Sequence, residues 1–598
     1  MVFEKLFEKR LTRRLFTRWM MKMTSFSALA TVFGNGIFGR SRAVAAQAAA
    51  DSGAAGNPAI VVRGSQQFRT LLKNGLIVDG TGARPYQGNL LINGDKIETV
   101  TAGEIDFKGN TIDCAGRVVA PGVIDMHSHM DWVLPVKDRP ELKTPFTRQG
   151  VTTFIGGNCG FGVAGFMKNS PHRAILERRV RNLYDLNWDT MAEYNDAMGE
   201  QGISHNLLKL AGYGTTRASI QGFEATPMTG ERMRQQLYLL DEAMEQGACG
   251  VSFGLQYEPG VFATLDEMKQ VAERVKQKDK IITVHMKAYS SLSGTYPLEL
   301  FGTPHNLLAI EDMLRLARET GVRMQLSHLI FVGERTWKTT DKAFALIDGA
   351  IQEGLDVKFD TYAYHCGVSI INVVLPEWFL AGIPDVFESR TSLLKLRAEL
   401  TLIKTLLGFG YGDIQITKAN HPDLEQFNGM FLKEIAEKRG MGEFENFIDF
   451  VQKSGGKAAV LNHRYSNLEQ VKAMIAHPAS LFQTDATVLT DGTQNPAAFG
   501  NFPRILQYAR DFRLLKLEAV VHKMTGASAD RFKIQDRGVL APNKAADIMI
   551  FDWETVRDNN TDTSTSETPT GIESVFINGK PVLLGGRTDN TATPGVLL

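Results

Sequence analysis

A His-x-His pair, His127 and His129, stands at the end of a short apolar run that begins at Val123. The run follows a Pro-Gly dipeptide, which predicts a buried strand over Val123–His129. Side chains at positions i and i+2 of a strand point to the same side, so both imidazoles can address one point in space. Imidazole nitrogen is the commonest protein ligand of zinc and its neighbours. The pair indicates part of a metal site, with two ordinary polar residues at a strand end as the alternative.

Four further ligand-type residues follow later apolar runs: Cys159, His285, His328 and Asp485. Each alone has a simpler explanation, as a small buried cysteine, a capped histidine at a strand end or a helix N-cap. The chain has only 12 histidines, and four of them fall among these six positions. We therefore interpret the six together as candidate metal ligands, with Asp485 also a candidate catalytic residue.

The elements that must position these residues alternate between strands and amphipathic helices. Helical patterns lie between eight short apolar runs, and this alternation predicts a (β/α)8 barrel with its site at the C-terminal strand ends. The predicted strands are Val123–His129, Val151–Asn158, Leu207–Tyr213, Cys249–Gly254, Ile281–Lys287, Arg323–Leu329, Val357–Tyr364 and Ser480–Ala486. The barrel is expected over 121–366 and 471–535.

Two smaller parts complete the predicted architecture. Short strands and turn dipeptides occupy 68–120 and again 536–598, which indicates a small β-sandwich built from both chain ends. The long stretch 367–470 between strands 7 and 8 carries helical patterns. We expect it to form an inserted α-rich subdomain or lid, because a loop of that length without structure is uncommon.

The N-terminal segment 1–45 has the composition of a targeting signal. The string Thr12–Arg18 contains the pair Arg13-Arg14 and resembles a twin-arginine export signal, with small residues for cleavage near Ala45. A basic amphipathic helix at a membrane surface is the alternative. No later apolar run approaches 18 residues, so no membrane span is predicted. The expected location is the periplasm, reached through the twin-arginine export machinery.

Charge and cysteine content limit which partners and which kinds of cysteine chemistry fit this chain. The chain has 66 basic and 66 acidic side chains, which gives no electrostatic case for a nucleic-acid partner. Its four cysteines, Cys114, Cys159, Cys249 and Cys366, form no compact disulfide framework. A catalytic or metal-bound thiolate therefore remains open for at least one of them.

The order of motifs along residues 68 to 598 resembles the D-aminoacylase branch of the amidohydrolase superfamily. The Asn-Cys-Gly element separates this branch from relatives that bridge two metals through a carbamylated lysine. The matching motifs are His127-x-His129, Gly150–Thr153, Asn158–Gly160, Gly212–Arg217, His285, Ser327-His328, Asp485, Phe499–Arg504, Met524–Ala529 and Gly538–Asp547.

The resemblance implies a hydrolase that cleaves a linear amide, or N-acyl, bond by attack of a metal-activated water. It implies a tight zinc site at Cys159, His285 and His328. A second, weaker divalent site would use His127 and His129 with the same cysteine, and Asp485 would act as general base and then acid. Three protein ligands leave zinc an open position, and a nearby carboxylate can move the proton, so the chemistry agrees with these roles.

Departures from the family pattern concern the substrate. After the sixth-strand histidine the family usually has His-Lys, and this chain has Leu329-Ile330; a family His-Pro-Arg is replaced by Asn495–Ala497. The lost lysine and arginine hold the free carboxylate of an N-acyl-D-amino acid in the family. We therefore predict an uncharged amide substrate beside Leu329, Ile330, Ala497 and Tyr364, unless Arg335, Lys338 or the insert supplies a substitute cation.

Two other classes of protein fit the same motifs. A lactone or phosphoester hydrolase would use the same metal centre, because a fold does not fix a reaction. A non-catalytic binding protein would be expected to have lost ligands, and all six are present.

Overall fold

A computed structural model describes residues 62–63 and 69–598, apart from 181–182, 257–258, 294, 297–301, 372–374, 376–378, 380–382 and 457. The segment 1–45, predicted to be an export signal, lies outside the described residues. Among the helices described, none is long and apolar enough to cross a membrane.

The predicted (β/α)8 barrel is present, and its strands run parallel in sequence order. The pairing runs without a break from strand 3 to strand 8, and strand 1 pairs with strand 2 and strand 2 with strand 3. The barrel strands are Val123–Asp125, Val151–Gly156, Asn206–Lys209 continued by Ala211–Gly212, Gly250–Gly254, Ile281–His285, Arg323–Leu326, Val357–Thr361 and Ser480–Phe482.

Strands 1 and 8 close the barrel just beyond their regular parts. Met126 N donates to Phe482 O at 3.5 Å, and Asp485 N donates to His127 O at 3.0 Å. The prediction that strand 1 reaches His129 is therefore wrong, because the strand ends at Asp125 and both histidines lie in the turn after it. The turn brings them against strand 8, so their side chains still converge.

Helices cover the outside of the barrel because one face of each is apolar. In Leu265–Gln277 the buried residues Met268, Val271, Ala272 and Val275 recur at helical spacing. The barrel-side helices are Thr144–Thr147, Ala174–Val180, Met191–Gln201, Tyr213–Gln221, Gly230–Glu245, Leu265–Gln277, His305–Thr320, Thr340–Gln352, Leu468–Ala476, Ala497–Asp511, Leu517–Met524 and Gly526–Arg531.

Both chain ends build one β-domain, as predicted. Val118–Pro121 from the N-terminal part pairs antiparallel with Ile548–Phe551 from the C-terminal part, which joins the two halves in a ten-stranded sheet. The remaining strands are Val62–Arg63, Arg69–Ile77, Tyr86–Asn93, Lys96–Thr101, Asn110–Asp113, Ile572–Ile577, Lys580–Leu584 and Arg587–Thr588. Arg69–Ile77 pairs with three neighbours, which lets the sheet fold over its own apolar core.

The insert between strands 7 and 8 has a hydrophobic core of its own, with residues such as Phe447 and Ile416 fully buried. It contains the predicted helical regions and, in addition, a three-stranded antiparallel sheet that the sequence patterns did not indicate. Its helices are Arg390–Leu407, Leu432–Arg439 and Glu443–Lys453, and its strands are Gly367–Ile370, Ile414–Lys418 and Ala459–Asn462.

Candidate metal centre

The six predicted ligand residues converge at the C-terminal ends of the barrel strands. They form two overlapping groups whose ligand atoms lie within 4.8 Å of one another, and Cys159 belongs to both groups. One group is Cys159, His285 and His328, and the other is His127, His129, Cys159 and Asp485. The structure therefore brings together the same two sets that the sequence motifs suggested.

The Cys159 thiol lies at the centre of this arrangement. Its Sγ is 3.3 Å from His127 Nε2, 3.7 Å from His285 Nδ1 and 3.6 Å from His328 Nε2. His285 Nδ1 and His328 Nε2 are 2.8 Å apart. Three nitrogens thus surround one sulfur, a set of donors that suits a divalent metal ion.

Asp485 completes the second group from the end of barrel strand 8. Its Oδ1 lies 3.4 Å from His127 Nε2 and 3.4 Å from His129 Nε2. The Asp485 side chain is 19% exposed, whereas that of His127 is fully buried and that of His129 is 3% exposed. Asp485 is thus the donor with the most access to a molecule entering from outside.

Backbone strain coincides with these donors. Cys159, His328 and Asp485 have φ angles of 54°, 31° and 46°, in the left-handed region that residues other than glycine rarely adopt. Such conformations cost of order 1–3 kcal/mol each and persist where the surroundings determine them. The strain at three of six donors indicates that side-chain placement here has been favoured over backbone stability.

Asp360, which the sequence patterns did not single out, orients two of the histidines. It is the penultimate residue of barrel strand 7, and its Oδ1 accepts a hydrogen bond from His328 N at 2.7 Å and lies 3.6 Å from His127 Nδ1. Its Oδ2 accepts from Gln325 Nε2 at 3.0 Å. A carboxylate behind a ligating histidine fixes its ring and raises its basicity. Its only signal in the sequence was a carboxylate inside a predicted buried strand.

Gln256 and Asp125 are the other positioning residues that sequence reasoning missed. Gln256 Nε2 donates to Lys287 O, so its Oε1 faces His285 Nε2 at 3.0 Å as an acceptor. This places the ring proton on Nε2 and leaves the Nδ1 lone pair toward Cys159. Asp125 accepts from Thr484 N at 3.0 Å and Thr484 Oγ1 at 2.6 Å, which holds the residue before Asp485.

The electrostatics of the centre favour a thiolate. Burial alone would raise the pKa of the Cys159 thiol, but the charge and hydrogen bond of the neighbouring His127 hold this pKa well below its usual value. Burial and the neighbouring His328 lower the pKa of His285 to about 4, so its imidazole is neutral. A thiolate and a neutral imidazole are the protonation states that metal binding requires.

The donor set fits a divalent ion on a second ground. His328 Nδ1 is buried and makes no hydrogen bond within the described part of the chain, and the nearest partners of the buried His127 Nδ1 and His129 Nε2 are carboxylate oxygens at 3.6 and 3.4 Å. Unsatisfied polar atoms are costly in a folded interior, so a group that engages these imidazoles is expected. Sulfur, imidazole and carboxylate donors around one point match zinc and similar ions.

A pocket opens beside the cluster of donors, and two of the four predicted substrate contacts line it. Ile330 and Ala497 line this pocket, whereas Leu329 is 1% exposed within the core and Tyr364 donates its hydroxyl to Asp558 Oδ2 at 2.5 Å. The residues found at the pocket wall are His285, His328, Ile330, Tyr362, Cys366, Gly367, Val368, Tyr465, Thr484, Asp485, Asn495 and Ala497. Leu329 and Tyr364 are not among them, because their side chains are engaged behind the wall.

The chain was compared with family models, with related sequences and with solved structures, and all three comparisons found amidohydrolases. The model of the Amidohydrolase family matches residues 406–583. The D-aminoacylase of Alcaligenes xylosoxydans xylosoxydans is 29% identical over 522 residues, which cover 87% of this chain and 95% of the relative.

Solved structures of two such enzymes superpose on most of the chain. A crystal structure of D-aminoacylase is 27% identical, with a TM-score of 0.71 over 89% of this chain and 99% of that one. The N-acyl-D-glutamate deacylase of Bordetella bronchiseptica, solved with zinc and a phosphonate mimic of the tetrahedral intermediate, is 26% identical, with a TM-score of 0.71 over 89% of this chain and 100% of that one. These matches support a metal-dependent hydrolase of amide bonds. In sequence and in structure, the chain is similar to the D-aminoacylase branch of the amidohydrolase superfamily.

Proposed function

We propose that this protein hydrolyses the linear amide bond of an uncharged N-acyl compound, and that standard N-acyl-D-amino acids are poor substrates. The observation that carries the proposal is the composition of the pocket. Among the residues described at its wall there is no lysine and no arginine, although the donor cluster beside it is complete.

The donors divide into two sets with different tasks. Cys159, His285 and His328 would hold one divalent ion tightly, and His127 and His129 with the same sulfur would complete a second, weaker site. When bound, such an ion polarises the scissile carbonyl and lowers the pKa of a water molecule. Zinc is the proposed ion, because thiolate and imidazole donors suit it.

Asp485 is the proposed proton carrier. Its carboxylate lines the pocket and lies against both histidines of the weaker set, so it can reach a water molecule beside the donors. Although burial would raise the pKa of Asp485, the charge of His328 and the hydrogen bond of His129 hold this pKa below its usual value. The carboxylate is therefore ionised, ready to accept a proton from water and pass it to the departing nitrogen.

The pocket wall favours an uncharged substrate for an energetic reason. A substrate carboxylate must lose its hydration on entry, and this costs several kcal/mol unless a cation or several donors replace the water. Ile330 and Ala497 supply neither. Tyr362, Tyr465 and Asn495 offer aromatic and neutral polar surface instead, which suits a neutral or aromatic group.

Two groups that could replace the missing cation, an arginine and the N–H groups of a helix, already have other partners. The Arg504 guanidinium stacks 3.9 Å from the centre of the Tyr364 ring and pairs with Asp558 at 2.6 Å. The helix that begins at Ala497 cannot offer free amide groups either. Its first N–H groups donate to Asn495 and Pro496, as in the 3.1 Å bond from Ala497 N to Asn495 Oδ1.

A matched pair of substrates tests the proposal. Acetate release from N-acetyl-D-methionine and from N-acetyl-D-methioninamide is compared, since the two differ in the charge beside the scissile amide. We expect kcat/KM for the uncharged compound to be higher by roughly two orders of magnitude, about 2–3 kcal/mol. A preference for the free acid would contradict the proposed substrate class. Hydrolysis of lactones or phosphotriesters but of neither amide would contradict the reaction type.

A substitution in the same pocket gives the control. Ala497→Arg restores a cation where the family pattern has one and should move the acid-to-amide ratio of kcat/KM toward the acid by about tenfold or more. Ala497→Gln adds similar bulk without charge and should leave the ratio near its original value.

A further inference from the structure

A second cluster of ligand-type side chains lies outside the centre described above. His365 follows barrel strand 7, His463 follows the insert strand Ala459–Asn462, and Asp562 belongs to the segment between the sheet strands Ile548–Phe551 and Ile572–Ile577. One ligand atom from each lies within 4.8 Å of the others. Three separate parts of the chain therefore meet at this cluster.

The geometry is compact around the two imidazoles. The rings of His365 and His463 have centroids 5.7 Å apart, and His365 Nε2 lies 4.0 Å from Asp562 Oδ1. Two imidazoles and one carboxylate form a donor set that zinc and neighbouring transition metals accept. A plain ion pair would need only one histidine, so the second imidazole calls for an explanation.

Gln415 prepares His463 for such a role. The Gln415 amide nitrogen donates to Gly429 O at 2.8 Å and to Asp562 O, so its Oε1 must face His463 Nε2, which is 3.0 Å away. His463 Nε2 therefore carries the ring proton, and Nδ1 keeps its lone pair. A hydrogen bond that fixes the tautomer of a histidine in this way is the usual support of a metal ligand.

The same amide also ties down the acidic member of the cluster. Gln415 lies on the insert strand Ile414–Lys418, and its bond to the Asp562 backbone holds the loop from the β-domain against the insert. The ring of Phe431 packs against His463 with centroids 4.8 Å apart and limits the motion of that imidazole. His463 is 6% exposed, whereas Asp562 is largely exposed, which gives an ion a path from solvent.

We propose that His365, His463 and Asp562 bind a divalent transition-metal ion of the zinc class at a site separate from the catalytic centre. The ion would tie the insert and the β-domain loop to the rim of the barrel. His365 precedes Cys366 and its carbonyl accepts from Tyr465 N at 2.9 Å, and both Cys366 and Tyr465 line the pocket. The site thus fixes the wall that contacts the substrate.

Cobalt titration of the metal-depleted full-length protein tests this site, because it distinguishes the two centres by colour. Co²⁺ bound to Cys159 gives a thiolate charge-transfer band, whereas Co²⁺ on imidazole and carboxylate gives only weak visible bands. We expect the wild type to bind more equivalents than the thiolate band accounts for. The extra equivalent should persist in Cys159→Ala and should be lost, or weakened at least about tenfold, in His365→Gln.

His421→Gln is the matched control. His421 also lies in the insert, with its Nδ1 4.0 Å from Asp423 Oδ2, but the clusters described include no second histidine there. It should bind as many equivalents of cobalt as the wild type. Asp562→Asn changes an exposed side chain, so it repeats the test without risk to the fold, and circular dichroism checks each variant. Equal cobalt stoichiometry in the wild type, His365→Gln and Asp562→Asn would overturn the proposal.

Discussion

Two buried polar clusters at opposite ends of the barrel differ in how their groups are satisfied. At the end facing the β-domain, Asp547 accepts from Asn206 Nδ2 at 2.9 Å, from Asn578 N at 2.7 Å and from Arg537 Nη1 at 2.5 Å. At the other end, His328 Nδ1 has no hydrogen bond within the described residues, and His127 Nδ1 and His129 Nε2 have only long contacts of 3.6 and 3.4 Å with carboxylate oxygens. The Asp547 cluster, called the closed cluster below, is satisfied by the protein's own groups. The histidine cluster, called the open cluster below, contains polar atoms that lack good hydrogen bonds.

The difference in hydrogen bonding indicates a structural role for the closed cluster and a binding role for the open cluster. Buried polar groups that satisfy one another hold two domains together at little net cost, whereas unsatisfied ones lower stability unless another group engages them. The open cluster also contains three residues with left-handed backbone. We infer that the open cluster is arranged to bind a ligand at the expense of stability.

The largest expected effect comes from the open cluster. Asp485→Asn keeps the size of the side chain and removes its ability to accept a proton. We expect turnover to fall on the order of a thousandfold or more, roughly 4 kcal/mol, with metal content unchanged. Steady-state kinetics and elemental analysis on the same preparation measure both quantities. Activity within tenfold of the parent would assign the proton transfer to another group.

A substitution in the closed cluster should change the stability of the protein and not its activity. Asp547→Ala leaves Arg537, which is 4% exposed, without its main buried partner and should lower the free energy of unfolding by about 3–5 kcal/mol. Turnover per folded molecule should change little. Glu231→Ala, which breaks an exposed pair with Arg234, is the control and should cost less than about 1 kcal/mol in urea unfolding. Equal losses in the two variants would remove the distinction between the clusters.

A smaller effect is expected at the boundary of the open cluster. Asp360→Asn presents an amide group to His328 N or Gln325 Nε2, both of which are donors. We expect metal affinity to weaken by roughly ten- to a hundredfold, because the His127 ring loses the carboxylate behind it and the His328 backbone loses its acceptor. Competition with a chelator measures the change. Unaltered affinity would mean that the donors hold their positions without this carboxylate.

Sequence patterns were sufficient to predict which donor side chains converge, and insufficient to predict the residues that support them. Cys159, His285, His328 and Asp485 each follow a recognisable strand, and barrel topology brings such ends together, so the set was predictable. Asp125, Asp360 and Gln256 are ordinary polar residues whose role depends on distant partners such as Thr484 and His285.

Three further features depend on tertiary structure alone. The left-handed backbone at His328 has no sequence signal, because no glycine marks it. Strand 1 was predicted too long for a similar reason, since its end at Asp125 is set by contacts with strand 8. His365, His463 and Asp562 lie too far apart in the chain for any spacing to relate them.

The most direct test of the account is the metal content and amide hydrolysis of Cys159→Ala, because this thiol belongs to both donor groups. The wild type and Cys249→Ala, a free cysteine outside the cluster, should each retain about one tightly bound divalent ion at the catalytic centre. Cys159→Ala should lose that ion and nearly all activity while remaining folded. Full retention of the tightly bound ion together with full activity in Cys159→Ala would contradict the account.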